Sequence, residues 1–417
     1  MAESHFDVIV VGGGAAGLMA TRFAAASGAR TVLLEATKDG GRKILISGGG
    51  RCNVLPGTFR PERYVTASSP NTLRKILRSW PLQEQRDFFE QVLKIPLKHE
   101  AEFDKLFPVS DRARDVRDAL VQAAFDAGAA IRFETRVTEI GRTDGGGWMV
   151  ESDDGRRWEA PRLIVATGGL SVAATGSDGR GLSLVSRVGH TRHTTYPALT
   201  PLLTDPAVHS ELSGVTLDVR IEVPVGKSRE SFEGSFLFTH RGYSGPVVLN
   251  ASHLAVRSAL DGAPVKLEAA WDRMTAEAWD EALAQGSGTV GGVLSASTIP
   301  ARLARRIAAE AEVPWDRSLG QLRKDERLKL IELLTRYPLP WTGDEGYKKA
   351  EVTGGGIDLA EIDPRTMESR VQPGLYLCGE ILDAFGPIGG HNFLWAWATG
   401  RAAGMAAGAA SSGPTDV

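Results

Sequence analysis

The stretch Asp7-Val8-Ile9-Val10-Val11-Gly12-Gly13-Gly14-Ala15-Ala16-Gly17-Leu18 decides the fold of this chain. Its four β-branched residues predict a buried parallel strand, an alanine-rich helical segment follows, and Thr31–Leu34 predicts the next strand. In a dinucleotide site, Gly12 permits the tight turn, Gly14 lets the backbone approach a pyrophosphate, and Gly17 lets the helix pack on the strand. Because strand, glycines, helix and second strand follow in this order, the sequence predicts a dinucleotide site rather than a glycine turn without a ligand.

Glu35, at the end of the second strand, is the next element of this site. Its carboxylate can accept hydrogen bonds from the two ribose hydroxyls of an adenosine and would repel a 2′-phosphate. The helix N-terminus, with Ala15 and Ala16, offers unpaired N–H groups to the phosphates. We therefore assign these residues and the neighbouring Ala36 to the nucleotide site.

Length and composition define the class of protein. A chain of 417 residues predicts two domains, or one domain with a large insertion. A net charge of −3 gives no overall signature for binding nucleic acid or an anionic membrane, and no apolar run is long enough to span a bilayer. Since the first strand begins by Phe6, we expect no signal or transit peptide. Two cysteines cannot build a disulfide framework, so we expect a reduced, cytoplasmic protein.

The segment from Thr37 to Asn53 is dense in glycine and carries interleaved Arg, Lys, Cys and Asn. We expect it to form neither a packed helix nor a packed strand. Its bare backbone N–H groups suit close contact with a phosphate or a flat ring. A flexible linker is the alternative, but linkers seldom carry this mixture of side chains.

Two of these segments, GGGAAGLMA at 12–20 and GRKILISGGGRCN at 41–53, resemble the opening of the YhiN/BaiN-like flavoprotein family, also called aminoacetone-oxidase-type FAD enzymes. The segments at 103–113, 238–246 and 374–383 resemble further motifs of that family, so the resemblance spans nearly the whole chain. It implies FAD rather than NAD as the resident dinucleotide, and an α/β fold: a Rossmann-like FAD-binding domain of the glutathione-reductase type, interrupted by an inserted β-barrel-like and helical cap domain.

The resemblance also implies which residues contact FAD. The expected contacts outside the first turn lie in the glycine-rich segment, at the crossover strand that covers the adenine, after the next buried strand, and near the C-terminus: Arg42, Lys43, Ser47, Gly48, Gly49, Arg51, Cys52, Asn53, Val137, Thr167, Gly168, Gly169, Gly379, Glu380, Asp383, Gly390, His391 and Asn392.

The turn at 389–392 is expected to aim the N-terminus of the last helix at the N1/C2 edge of the flavin. Reduced flavin is negative there, and a helix N-terminus stabilises such charge by typically ~0.3–1 kcal/mol. His391 replaces a tyrosine common in the family, so it is either a titratable group beside the ring or a packing histidine. His240 and Tyr243 of the insert are either proton donors or structural turn residues.

Cys52 and Cys378 both lie beside motifs expected at the flavin. They are either a redox-active pair or buried, inert thiols; the second interpretation is favoured because they do not form a C-x-x-C motif. We find no metal-ligand spacing and no nucleophile–base arrangement, and therefore expect no metal.

Pro197, Pro201 and Pro206 mark a change of composition near Tyr196. We expect the FAD-binding domain to comprise residues 1–195 and 350–417. The inserted cap domain then spans 196–349, with a β unit at about 196–272 and a helical unit at about 273–345. The β unit includes strands at 217–223, 232–238 and 265–271, and the helical unit includes helices at 276–283, 301–312 and 324–337.

These features predict an FAD-dependent oxidoreductase that transfers a hydride between flavin N5 and a small organic substrate, with NAD(P)H or oxygen as the other redox partner. Because no second GxGxxG follows a strand, NADH or NADPH would be a transient donor. The alternative is a regulatory or RNA-linked flavoprotein without metabolic turnover, against which the overall charge counts. We expect neither nucleic acid nor membrane as a partner, and the oligomeric state stays open.

Overall fold

The computed structural model describes residues 6–285 and 287–409. The chain divides into two compact units, of which unit 1 comprises residues 1–196 and 352–417 and unit 2 comprises residues 197–351. The sequence expectation had placed the corresponding boundaries after residues 195 and 349. Among the described residues, no helix is both long and apolar enough to cross a membrane.

The helices and strands are named here in chain order. The helices are α1 (Ala15–Ala26), α2 (Arg42–Ile46), α3 (Pro70–Arg78), α4 (Leu82–Asp87), α5 (Ala113–Asp126), α6 (Arg180–Arg187), α7 (Pro246–Leu260), α8 (Ala276–Gln285), α9 (Val290–Ser295), α10 (Ala301–Glu310), α11 (Lys324–Thr335) and α12 (His391–Ala409). The strands are β1 (Val8–Val11), β2 (Thr31–Leu34), β3 (Leu55–Pro56), β4 (Leu97–Glu100), β5 (Lys105–Pro108), β6 (Ala130–Arg132), β7 (Val137–Arg142), β8 (Trp148–Ser152), β9 (Arg157–Ala160), β10 (Arg162–Val165), β11 (Arg192–Ala198), β12 (Leu202–Leu203), β13 (Thr216–Val225), β14 (Ser228–Thr239), β15 (Gly242–Ser244), β16 (Leu267–Ala270), β17 (Tyr337–Leu339), β18 (Gly343–Asp344), β19 (Val352–Ile357) and β20 (Leu375–Leu377).

Unit 1 is built on a five-stranded sheet in the order β20-β10-β1-β2-β6. Every neighbouring pair in it is parallel, and Val8 of β1 lies opposite Thr31 of β2 and Arg162 of β10. β1 and β2 are buried along their whole length, as strands covered on both faces must be. In such a sheet ligands bind at the carboxyl ends of the strands, so the segments that follow β1, β2, β10 and β20 come together at one edge.

Helices α1 and α12 pack against each other through small residues. A Cβ on Gly400 would overlap the carbonyl oxygen of Ala16, and a Cβ on Gly404 would overlap that of Ala20. Residues four apart lie on the same helix face, so the two helices meet along rows of glycine and alanine. This close packing places the N-terminus of α12 over the same sheet as α1.

The alternating character of Ile131–Val137 predicts one strand, but the structure divides this segment between two strands in different sheets. β6 ends at Arg132 in the parallel sheet, and β7 begins at Val137 in a three-stranded meander with β8 and β9. Glu134, between them, has a φ of +52°. This left-handed backbone cannot continue a strand, which is why the single expected strand is broken.

Unit 2 contains a seven-stranded antiparallel sheet in the order β17-β16-β13-β14-β15-β12-β18. Helices α8, α10 and α11 confirm the three helices expected from the sequence. Helix α7 lies inside the segment expected to be β-like. Its buried face includes Val247, Val248, Ala251 and Ala255, whose spacing is that of a helix beginning after Gly245 with Pro246 at its first position.

Candidate functional site

The turn between β1 and α1 forms one end of the candidate site. Gly12 has a φ of +99°, and a Cβ there would lie 2.7 Å from the carbonyl oxygen of Ala166. A Cβ on Gly17 would overlap the Gly12 carbonyl oxygen, so α1 approaches the turn too closely for a side chain. Gly14, at the start of α1, has no atom within 4 Å of an added Cβ. The open side of this helix N-terminus therefore suits a pyrophosphate.

Glu35 lies beside that turn and is only 7% exposed. Its Oε2 accepts a hydrogen bond from the Gly13 N–H at 2.6 Å, and its Oε1 accepts from the N–H and hydroxyl of Thr37 at 2.7 and 2.6 Å. These bonds fix the carboxylate against the loop. Since a carboxylate offers about four acceptor positions, Glu35 keeps capacity for a ribose hydroxyl.

The glycine-rich segment is more regular than its composition indicates. Residues 42–46, which lie between two glycine clusters, form helix α2, so the expectation of no helix here is wrong. The glycines themselves stay irregular, since Gly48 and Gly49 have φ values of +56° and +68°. Gly49 also has no atom within 4 Å of an added Cβ, so the backbone is open there. The Ser47 hydroxyl donates a hydrogen bond to the Ile44 carbonyl at 2.7 Å, near the end of α2.

Lys43 of α2 ties this segment to the C-terminal part of unit 1. Its ammonium group lies 2.7 Å from Glu380 Oε2 and donates to the Ser171 hydroxyl at 2.7 Å. The Ser171 hydroxyl in turn donates to Glu380 Oε1 at 2.8 Å. Lys43 and Glu380, both expected to contact the cofactor, are thus paired with each other.

Further contacts connect these segments to the β1–α1 turn. The Gly41 N–H donates to the Gly13 carbonyl at 2.8 Å. On the other side, a Cβ on Gly379 would lie 2.8 Å from the Cβ of Ala16. Three stretches far apart in the sequence therefore meet around the start of α1.

The segment after β10 adds polar groups to this edge of the sheet. The hydroxyl oxygen of Thr167 is buried without a hydrogen-bond partner. Gly168 has a φ of +74°, and Gly169 packs against Thr353 and Glu380. The Thr353 hydroxyl accepts from the backbone N–H groups of Leu170 and Ser171, at 2.7 and 3.1 Å.

The N-terminus of α12 is held in place by residues from the glycine-rich segment and the preceding turn. Gly390 has a φ of +89° and packs tightly on the backbone of Leu55. With its amide oxygen turned toward Gly390, Asn53 accepts from the Gly390 N–H at 3.1 Å. Asn392 exchanges two hydrogen bonds with the backbone of Gly386, at 2.9 and 3.0 Å. Asn53 and Asn392 thus shape the turn through the backbone.

His391, the first residue of α12, is 7% exposed. Its carbonyl accepts a hydrogen bond from the Tyr64 hydroxyl at 2.8 Å, while its ring Nδ1 is buried without a partner. Burial lowers the pKa of His391 to about 4; the charges of Arg63 and Arg60 act in the same direction and that of Asp104 opposes them. The imidazole is therefore neutral near pH 7 and has one unused polar atom.

Asp383 is 2% exposed and organises a loop. Its Oδ2 accepts from the hydroxyl groups of Thr66 and Ser68 at 2.9 and 2.8 Å, and from the N–H groups of Ala67 and Ser68 at 2.8 Å each. His193 Nε2 lies 3.8 Å from the same oxygen. The structure thus shows this carboxylate stabilising residues 66–68.

The two arginines expected at the cofactor are paired with carboxylates. Arg42 lies 2.9 Å from Asp39, whereas Arg51 lies 2.7 Å from Glu100 and stacks over the ring of Phe107 at 4.0 Å. Val137, at the start of β7, is 5% exposed. In the structure the two arginines therefore support the loops of unit 1, and Val137 belongs to its hydrophobic core.

Both cysteines are free and completely buried. Burial raises the pKa of Cys52 to about 12, opposed by a hydrogen bond with Ser47, and raises the pKa of Cys378 still further. Because the thiolate is the reactive form, neither residue has the environment of a redox-active cysteine.

The two candidates from the insert lie in unit 2. His240 is exposed in the turn between β14 and β15. Tyr243 is fully buried in the core of unit 2, and its hydroxyl lies 2.8 Å from Nδ1 of His209. Burial raises the pKa of Tyr243 well above its usual value, so its hydroxyl is a neutral member of a buried network.

Three residues of unit 1 that the sequence analysis did not assign are part of this arrangement. Ser171 and Thr353 bond with Glu380 and with the loop after β10, and Tyr64 holds His391. Thr353 could have been found, since it precedes three consecutive glycines at 354–356. Tyr64 and Ser171 carry no such signal.

The residues present fit FAD. Open space surrounds Gly14 and Gly49, the Glu35 carboxylate is fixed beside the first turn, and Thr167 Oγ1 and His391 Nδ1 are buried polar atoms without partners. Such atoms are costly unless a ligand or water satisfies them. The fold and site therefore define a Rossmann-type flavoprotein with an inserted domain.

Comparison with known proteins gives the family. The model of the family described as "HI0933-like protein Rossmann domain" matches residues 6–406, and the chain belongs to that family. The chain is 32% identical to the ribosomal RNA dihydrouridine synthase of Escherichia coli K12, covering 95% of this chain and 96% of that protein. It is 29% identical to the 3-dehydro-bile acid delta(4,6)-reductase of Clostridium scindens, and the alignment covers 95% of this chain and 98% of that protein. This resemblance to reductases, together with the site, makes the protein an FAD-dependent enzyme.

Solved structures show the same fold. The FrdA subunit of E. coli quinol fumarate reductase aligns with a TM-score of 0.51 at 15% identity, covering 100% of this chain and 72% of that one. A flavocytochrome c3 fumarate reductase aligns with a TM-score of 0.50 at 16% identity, covering 98% and 78%. At these identities the likeness concerns architecture alone.

Proposed function

We propose that this protein is an FAD-dependent reductase of carbon–carbon double bonds conjugated with a carbonyl group. The observation that carries the assignment of the cofactor is the β1–α1 turn, with Glu35 fixed beside it and open space at Gly14. The chemistry is supported by what two relatives are named for. Dihydrouridine is uridine whose ring double bond, conjugated with a carbonyl, has been saturated, and a 3-dehydro-bile acid delta(4,6)-reductase saturates double bonds conjugated with a 3-ketone.

When bound and reduced by the nicotinamide donor, FAD would supply a hydride to one carbon of such a bond, and a proton added to the other carbon would complete the reduction. Gly12, Gly14 and the N-terminus of α1 would hold the phosphates, and Glu35 would hold the ribose. His391 Nδ1 would form a hydrogen bond with the flavin or the substrate. Because His391 is neutral near pH 7, its role is to position a group rather than to supply positive charge.

We propose NADH or NADPH as the electron donor and the cytoplasm as the site of action. The free, buried thiols of Cys52 and Cys378 are compatible with a reducing compartment. A nicotinamide donor is supported by the expected reaction, since reducing a double bond consumes two electrons in each turnover.

Anaerobic reduction of the FAD-loaded protein by NADH and by NADPH tests this proposal. The reduced protein is then mixed with a steroidal 4-en-3-one or with ribosomal RNA, and reoxidation is followed by flavin absorbance. We expect one of the two to reoxidise the flavin and to gain two hydrogens by mass spectrometry. A flavin that no nicotinamide reduces, or that neither compound reoxidises, would favour a regulatory flavoprotein without turnover.

A further inference from the structure

Unit 1 contains an open groove of about 840 Å³, lined by α3, the segment at 363–370 and α12. Five of its lining side chains are cationic, and they are contributed by all three segments: Lys75, Arg78, Arg365, Arg370 and Arg401. The cations are therefore concentrated locally on a protein whose net charge is −3. A negative overall charge is compatible with a local basic surface of this kind.

Four of these five cations have no acidic partner in the part of the chain that the structure describes. Among the residues that the structure describes, no carboxylate lies within ion-pair distance of Lys75, Arg78, Arg365 or Arg370, and all four are exposed. Asp363 is the one acidic residue in the described lining, and its carboxylate accepts the N–H of Arg365 at 2.8 Å. Elsewhere in the described chain exposed arginines such as Arg156 and Arg157 do have an acidic partner.

The groove also has an apolar side and a positioned cation. Ala402, Ala406 and Met405, which is 42% exposed, contribute apolar surface from α12. Arg401 is partly buried, and its guanidinium lies 5.2 Å from the ring centre of Trp80. Single-stranded nucleic acids display their phosphates and base faces together, so cations beside an apolar surface can contact both.

We propose that this groove binds the phosphate backbone of single-stranded RNA. The inference rests on the proposed function, of which it selects the RNA substrate class. Arg365 and Arg370 contact phosphates from one side, Lys75 and Arg78 from the α3 side, and the apolar surface of α12 accepts a base. Lys75 and Arg78 lie three residues apart and therefore on one face of α3.

Fluorescence anisotropy with a labelled single-stranded oligouridylate, using the FAD-loaded protein at several salt concentrations, tests the groove. The variant Arg365→Glu/Arg370→Glu is expected to bind at least ten-fold more weakly. Losing two phosphate contacts should also reduce the slope of log affinity against log salt by about 1.4. The matched control is Arg273→Glu/Lys324→Glu, which changes the net charge equally at exposed residues of unit 2. It should bind like the unmodified protein.

A second variant, Lys75→Gln/Arg78→Gln, removes charge without reversing it and should weaken binding in the same direction. Equal weakening by the groove and control variants would overturn the proposal, because the effect would then follow net charge alone. So would unchanged binding by both groove variants. Binding of phosphatidylglycerol vesicles through these residues, without binding of the oligouridylate, would assign the groove to a membrane surface instead.

Three measurements on the same preparations separate the two proposals. They are binding of the oligouridylate, flavin reduction by the nicotinamide, and reduction of the two test compounds, the steroidal 4-en-3-one and ribosomal RNA. If the groove variants lose RNA binding but retain full FAD and the unmodified rate of flavin reduction by the nicotinamide, the groove acts in RNA binding alone. If the protein binds the oligouridylate through the groove but reduces neither compound, the proposed function fails and the groove remains. If the protein reduces either compound and the groove variants bind the oligouridylate normally, the proposal that the groove binds RNA fails and the proposed function stands.

Discussion

The two units contain buried histidines in opposite situations. In unit 2 both ring nitrogens of His209 are bonded, Nδ1 to Tyr243 at 2.8 Å and Nε2 to Tyr337 at 2.9 Å. In unit 1 the Nδ1 atom of His391 is buried and has no partner. His209 is satisfied by the protein itself, as is the buried His190 of unit 1, whereas His391 requires another group. The difference indicates that unit 1 is completed by a ligand.

If unit 1 is completed by FAD and unit 2 is not, glycine substitutions in the β1–α1 turn should have the largest effect on FAD binding. We expect Gly17→Ala to abolish FAD retention and to cost unit 1 about 3 kcal/mol of unfolding free energy, because its Cβ would overlap the Gly12 carbonyl oxygen. The measurements are the FAD content of the purified protein and its unfolding by urea.

Gly14→Ala is the matched control for folding. An added Cβ meets no atom within 4 Å, and the φ of Gly14, −76°, suits alanine. We expect the apoprotein to keep its stability within about 0.5 kcal/mol, but to bind FAD at least ten-fold more weakly, since the methyl group occupies the approach of the pyrophosphate. Full FAD affinity in Gly14→Ala would contradict the placement of the phosphates.

Most of unit 1 could be predicted from local patterns. The runs Val8–Val11 and Thr31–Leu34 are short, apolar and β-branched, and both are central strands. The close packing of α12 could also be predicted, since Gly400, Gly404 and Gly408 recur every four residues and lie on one face of the helix. Helix α7 was missed because its neighbours are strands and its β-branched start resembles one.

The site could be predicted in part, for a physical reason. The conformation of a tight turn and the position of an acid at the end of a strand are set by residues adjacent in the sequence. Gly12 and Glu35 could therefore be assigned from the sequence alone. The pairing of Lys43 with Glu380 joins residues far apart in the chain, and only the fold brings them together. Asp383 was assigned to the cofactor, but a local pattern cannot show that its carboxylate binds residues 66–68.

Removing the strand-end carboxylate should have the next largest effect. We expect Glu35→Ala to weaken FAD binding by ten-fold or more, because a hydrogen bond to a charged group contributes about 1.5–3 kcal/mol. His391→Ala should weaken it less, since the imidazole is neutral and offers one hydrogen bond from Nδ1. Isothermal titration of the apoproteins with FAD measures both.

Glu35→Gln serves as the control, since it keeps the shape of the side chain and removes its charge. An intermediate affinity would show that charge contributes beyond geometry. Equal FAD affinity in Glu35→Ala and His391→Ala would mean that Glu35 does not bind the ribose.

Acid should destabilise both units through buried histidines. Burial lowers the pKa of His253 in unit 2 to about 4, with the charge of Arg257 acting in the same direction and a hydrogen bond to the Asn250 carbonyl opposing; His391 in unit 1 also has a pKa of about 4. Their unfolded-state pKa is about 6.5, so the unfolded chain binds more protons below that pH. This stability is present above pH 6.5 and is lost as the pH falls toward 4, by about 2 kcal/mol for each histidine at pH 5.

Urea unfolding of the apoprotein and of the FAD-loaded protein, at pH 7.5 and pH 5, distinguishes the two histidines. His253→Gln should remove about 2 kcal/mol of the loss of stability at pH 5 in both forms, because its ring is enclosed by unit 2 whether or not FAD is bound. His391→Gln should remove a similar amount in the apoprotein and a different amount once FAD is bound, since a ligand that bonds with Nδ1 changes the pKa of the imidazole. If FAD leaves the contribution of His391 to the acid sensitivity unchanged, then the Nδ1 atom of His391 does not face the cofactor. The contrast with His209 would then not identify a ligand site.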